Sequence, residues 1–129
     1  MNLSTKGETL IEVRQRVEPV KLAEVAAAIG TESAGETARL TLYFGPTVAG
    51  EQLLVDRLGL DLSRALLAGQ SYEWQRPFEP QETVTIRVFI DDVYEKGSNT
   101  FGVVATEIRD DSGDLVQQQR TTFIEATAK

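Results

Sequence analysis

The chain has 129 residues, 20 acidic against 13 basic side chains and a formal net charge of -7, with no histidine and no cysteine. That length holds one domain around one core, and the negative surface field works against nucleic-acid phosphates and anionic lipid headgroups. Without cysteine there is no disulfide framework, thiolate nucleophile or cysteine-rich zinc site. Without histidine, acid-base chemistry near neutral pH falls to a retuned carboxylate, tyrosine or lysine.

Residues 9 to 17 alternate as a strand, with Thr9, Ile11, Val13, Gln15 and Val17 on one face and Glu12, Arg14 and Arg16 on a wet one. Pro19 suits a first helical position, Leu22, Val25 and Ile29 recur along one helical face, and Gly30 is a natural stop. Residues 31 to 36 are small and polar, a loop. Leu40 to Phe44 is a short extended piece, and Gly45-Pro46-Thr47 punctuates it. A second helix is expected over Val48 to Leu58, with Leu54 and Leu58 sharing a face and Gly59 ending it. Leu60 to Leu67 is an apolar segment of unassigned class, ending at Gly69.

The period then changes from about 3.6 to 2. Gln70 to Arg76 places Tyr72 and Trp74 on one face of a strand, broken by Pro77 and Pro80. Val84, Ile86, Val88 and Ile90 form an apolar row, and a bulge near Asp91-Asp92 is needed to return Val93 to it. Turns at 96–99 and 110–114 separate strands Phe101 to Arg109 and Leu115 to Glu125. Gln117-Gln118-Gln119-Arg120 reads as exposed or set against a partner. Helices first and an antiparallel meander second argue an α+β architecture with a sheet covering a helix. A single domain over 1–129 is expected. No signal-like N-terminal stretch or run of 18 apolar residues occurs, so the expectation is a cytoplasmic chain that neither spans nor binds a membrane.

The run Tyr72-Glu73-Trp74-Gln75-Arg76-Pro77-Phe78-Glu79-Pro80, the strand Val84 to Val93, the Gly97 turn, the strand Val103 to Ile108, Asp114-Leu115-Val116 and Thr121-Thr122-Phe123 resemble a MaoC-like hydratase/dehydratase N-terminal domain. Within that family the resemblance is to the non-catalytic subunit of mycobacterial-type (3R)-hydroxyacyl-ACP dehydratase heterodimers. It implies a hot dog fold, a bent antiparallel sheet wrapped around a central helix, with two such domains joined edge to edge. In active relatives the loop after the first helix reads Gly-Asp-x-Asn-Pro-(Ile or Leu)-His, and its aspartate and histidine carry out R-specific hydration of an enoyl thioester. Here the matching segment is Gly30-Thr31-Glu32-Ser33-Ala34-Gly35-Glu36. Thr31 stands at the aspartate position and Glu36 at the histidine position.

The resemblance thus implies a chain inactive alone, needing no cofactor and no metal. Its partner is a catalytic hot dog subunit carrying the Asp/His motif, and its substrate an acyl-CoA or acyl-ACP. Pro46 and Thr47, before the central helix, and Tyr72 and Trp74 are candidates for the acyl tunnel or the subunit interface. The bland readings are a turn with Thr47 as N-cap, and aromatics packed into the core. Two other functions stay open: a homodimeric binder of acyl thioesters or lipid-like ligands, and a stand-alone hydratase or thioesterase using Glu36.

Overall fold

The computed structural model describes residues 1–30 and 51–126. After a short 3-10 turn (Leu3–Thr5) come β1 (Thr9–Arg16), α1 (Pro19–Ile29), α2 (Glu51–Leu58), β2 (Ala65–Trp74), β3 (Thr83–Lys96), β4 (Asn99–Asp110) and β5 (Leu115–Ala126). The strands form one antiparallel sheet in the order β1-β3-β4-β5-β2, so β1 and β2 are its edges. None of the described helices is long and apolar enough to cross a membrane.

Both ends of α1 follow its sequence. Pro19 occupies the first turn, where its missing N–H costs nothing. Gly30 closes the helix at φ 75°, a left-handed geometry open to glycine, and its N–H bonds to the Ala26 carbonyl. Ala26 is buried while Val20 is exposed. On α2, Leu54 and Leu58 are both buried, each adding about 1.5–3 kcal/mol of apolar transfer. α2 can approach the sheet closely because β4 carries Gly102 there. A Cβ at that position would lie 3.2 and 3.3 Å from the two Leu58 methyl carbons.

That contact identifies the helix-facing side of the sheet. Val93 pairs with Gly102, Ile90 with Val104, Val88 with Thr106 and Ile86 with Ile108, so the apolar row of β3 faces the helix. The expected bulge is present: the register shifts between Ile90 and Asp92, and Val93 is buried beyond it. Phe78, Val84 and Val17 complete this core.

Three expectations are corrected. β1 has a register shift between Thr9 and Ile11, which pairs Thr9 with Phe89 on the outer side and leaves the partly buried Leu10 packed against the core. Thr9 therefore does not share the face of Ile11. β2 begins at Ala65, not at Gln70, and runs through Gly69 with a register shift between Leu67 and Gly69. Leu66 and Leu67 lie on this edge strand at 71% and 62% exposure, outside the core. Finally, of the stretch read as exposed or set against a partner, Gln117 and Gln119 are buried within the chain itself. They pair with Ile108 and Thr106, which turns them toward the helix, and each is 1% exposed. Arg120 is exposed as expected and pairs with Asp91 at 3.3 Å.

Candidate functional site

Of the six residues singled out by sequence, Thr31, Glu36, Pro46 and Thr47 lie outside the described residues. Tyr72 and Trp74 are brought together: neighbours on one face of β2, their rings stack with centroids 5.5 Å apart at 16°. Each is 41% exposed, so core packing does not account for them. Their cross-strand partners on β5 are Gln119 for Tyr72 and Gln117 for Trp74. Directly paired antiparallel residues share a face, so the aromatic pair stands on the helix-facing side, at the rim of the core.

Beneath this rim lies a polar strip that sequence reasoning missed. The Gln119 amide donates to the Gln117 carbonyl oxygen at 2.6 Å, and the Thr121 hydroxyl donates to the side-chain oxygen of Gln70 at 2.6 Å. One strand further in, Thr106 is fully buried and its hydroxyl has no hydrogen-bond partner among the described residues. Parity was the available signal. With Phe101 and Gly102 opposite Ile124 and Phe123, every odd residue from Gln117 to Glu125 faces the helix.

Charged clusters elsewhere brace the sheet. Arg76, just past β2, makes a two-pronged contact with Glu82 at 2.7 and 2.9 Å and reaches Asp110 at 3.3 Å. Glu82 also accepts from the Glu79 N–H. This ties the Arg-Pro-Phe exit of β2 to the start of β3 and the β4–β5 turn. At the opposite end, the buried Glu125 carboxylate accepts from the Met1 ammonium and the Asp61 N–H, both at 2.8 Å, with Arg64 at 3.6 Å.

Titration follows from these contacts. Burial pushes the Glu125 carboxyl up, but the Asp61 amide, the Met1 ammonium and Arg64 outweigh it and hold its pKa below the ordinary value. Burial likewise opposes, and Arg76 with the Glu79 amide overcomes, the shift at Glu82. The Asp114 amide, then Arg76, lowers Asp110. Hydrogen bonds from Ser63 and Arg64 lower Asp61 to about 2. A general acid or base for neutral pH needs its carboxyl pKa raised toward 7. All four shifted carboxyls among the described residues move the other way and stay ionised. Nor do the described residues contain a group of three or more His, Cys, Asp or Glu able to hold a metal ion.

Among the described residues, the outer face offers no free cation cluster either. Arg14 pairs with Asp111 at 2.9 Å, Arg109 with Glu107 at 3.3 Å, and Arg87 lies over the Phe89 ring at 4.1 Å. Among the described residues, the outer face has two open concavities lined by these paired side chains, and the exposed aromatic pair with its polar strip lies apart from them, beside the edge strand β2.

Residues 18–119 match the family described as FAS1-like, dehydratase domain region. A UPF0336 protein of Streptomyces griseus is 29% identical over 109 residues, covering 83% of this chain and 71% of the relative. Among solved structures, the MaoC-like dehydratase from Rhodospirillum rubrum superposes with a TM-score of 0.59 at 16% identity, over 96% of this chain and 94% of its own. The C-terminally truncated HadBC (3R-hydroxyacyl-ACP dehydratase) complex from Mycobacterium tuberculosis superposes at 0.56 and 18% identity, over 89% and 96%. At these identities the structural likeness establishes the fold.

Proposed function

The chain belongs to the FAS1-like, dehydratase domain region family and has the α+β hot dog fold of MaoC-like dehydratases, and from that membership we propose that it is the non-catalytic subunit of a heterodimeric hydratase or dehydratase. The enzyme adds water to a trans-2-enoyl thioester, or removes it from the (3R)-hydroxyacyl thioester. The observation that carries this reading is the sequence that follows α1: Thr31 and Glu36 stand where active relatives have aspartate and histidine, and the chain contains no histidine at all.

Hydration of an activated double bond needs a base to take a proton from water and an acid to protonate the α carbon. Threonine supplies neither near neutral pH. The partner, a second hot dog chain, contributes the aspartate and histidine, and the likeness to the HadBC complex supports a pair of this kind. This chain, a single cytoplasmic domain, contributes surface. β2 presents an edge with exposed Leu66 and Leu67 that antiparallel pairing with the partner covers. Tyr72 and Trp74 flank that seam, and with Pro46 and Thr47 they line the passage for an acyl chain carried as a CoA or carrier-protein thioester. The chemistry calls for no redox cofactor.

The test is co-expression with any histidine-bearing relative found encoded beside it, followed by size-exclusion chromatography with light scattering. A stable one-to-one complex is expected. A lone homodimer that ignores every such relative yet binds acyl thioesters overturns the subunit assignment in favour of a binding protein.

A further inference from the structure

The polar strip below the aromatic pair does not follow from the demands of the sheet, which an aliphatic row meets better. Two cross-strand rows define it: Trp74, Gln117 and Ile108 in one, Tyr72, Gln119 and Thr106 in the next. Beyond them β3 presents Ile86 and Val88, fully buried and aliphatic. Polarity thus runs inward from the open edge and ends at the Thr106 hydroxyl, which is sealed from solvent and has no hydrogen-bond partner among the described residues. Native interiors seldom leave such a group unsatisfied, and an exception calls for a cause.

We infer that this strip is a subsite for an oxygen function, a hydroxyl or ketone, carried along the acyl chain away from the thioester. This rests on the proposed role of the chain in lining an acyl passage and adds the class of acyl group that the passage takes. The half-exposed Trp74 and Tyr72 mark the entrance, where flat rings cover an alkyl segment well. Gln117 and Gln119 are sealed in the free chain, so the ligand uncovers them as it enters. A saturated chain lying there leaves the Thr106 hydroxyl as unpaired as it is in the free chain. A chain hydroxyl both donates and accepts, and satisfies it. Sites built around a hydrogen-bonding group discriminate against the analogue that lacks it much more strongly than apolar pockets discriminate by size.

Trp74 is the only tryptophan of the chain, so its fluorescence reports occupancy of the entrance directly. The full chain is titrated with a saturated medium-length acyl pantetheine thioester and with the same chain bearing one mid-chain hydroxyl, and affinities are checked by calorimetry. The hydroxylated thioester is expected to bind at least about tenfold more tightly, the factor for one buried polar group left unpaired. Thr106→Val is expected to erase that preference, bringing the ratio of the two affinities to about one. Equal affinity for the two thioesters in the unmodified chain overturns the subsite and leaves the acyl-lining role standing. A preference that survives Thr106→Val also overturns it. Binding of neither thioester overturns the acyl-lining role and the subsite together. Should Thr106→Val fail to fold, the affinity ratio of the unmodified chain decides alone.

Discussion

Gly102→Ala tests the seam between α2 and the sheet. The new methyl would lie 2.6 Å from the Met1 sulfur and 3.2 and 3.3 Å from the two Leu58 methyl carbons. The Met1 side chain ends in a flexible thioether that can swing aside, whereas Leu58 is fully buried and has nowhere to move. Overpacking of this kind costs about 1–3 kcal/mol, and the loss of glycine's unfolded-state freedom returns about 0.4–1 kcal/mol. The net expectation is a loss of about 1–2 kcal/mol. Leu58→Ala alone should cost about 2–5 kcal/mol by leaving a cavity. In the double variant the added methyl enters space that Leu58 vacated. Gly102→Ala should then become neutral or stabilising, giving a coupling of about 1–3 kcal/mol. Urea melts of the four proteins at one fixed concentration measure this. Additive losses, or a stabilising Gly102→Ala in the unmodified background, refute the close approach of α2 to β4.

Glu125→Gln removes the carboxylate that gathers Met1, Asp61 and Arg64, and should cost about 1.5–3 kcal/mol in the same melts. The folded-state pKa values of Glu82 and Glu125 lie below the ordinary 4.5, so both contributions are complete above that value and vanish as pH falls through the lowered ones. Stability should hold from about pH 7 to pH 5 and decline below, less steeply in Glu125→Gln; a decline beginning near neutral pH contradicts the assignment. Arg76→Lys keeps the charge but cannot bridge Glu82 with two N–H groups and still reach Asp110, so a loss of about 1 kcal/mol is expected, and an unchanged melting temperature counts against the brace. Leu67→Lys on the edge strand should weaken assembly with the partner at least about tenfold while leaving the isolated chain as stable as before; analytical ultracentrifugation reads the first effect and thermal melting the second.

Much of the fold was legible because burial on one side of a sheet writes period 2 into the chain. The row Val84 to Ile90, the bulge at Asp91 and the turn at Gly97 all follow from that alternation and from glycine placement. The cap at Gly30 and the Leu54–Leu58 face were readable for the same reason at period 3.6. β2 was shortened because an exposed edge strand does not alternate: Leu66 and Leu67 are both bare, and Gly69 at a register shift imitates a strand end. Gln117 and Gln119 escaped because amides on the core side break the hydrophobic pattern that identifies a core side. Only the register against Thr106 and Ile108 reveals them. The aromatic pair was found from its spacing, but its place at the rim depended on strand order.

The non-catalytic assignment is tested most directly by single-turnover hydration of an enoyl thioester with three preparations: this chain alone, a histidine-bearing partner alone, and the two combined. No hydration by this chain alone and full activity in the pair is the predicted result. Turnover by this chain in isolation that disappears in Glu36→Gln would contradict it.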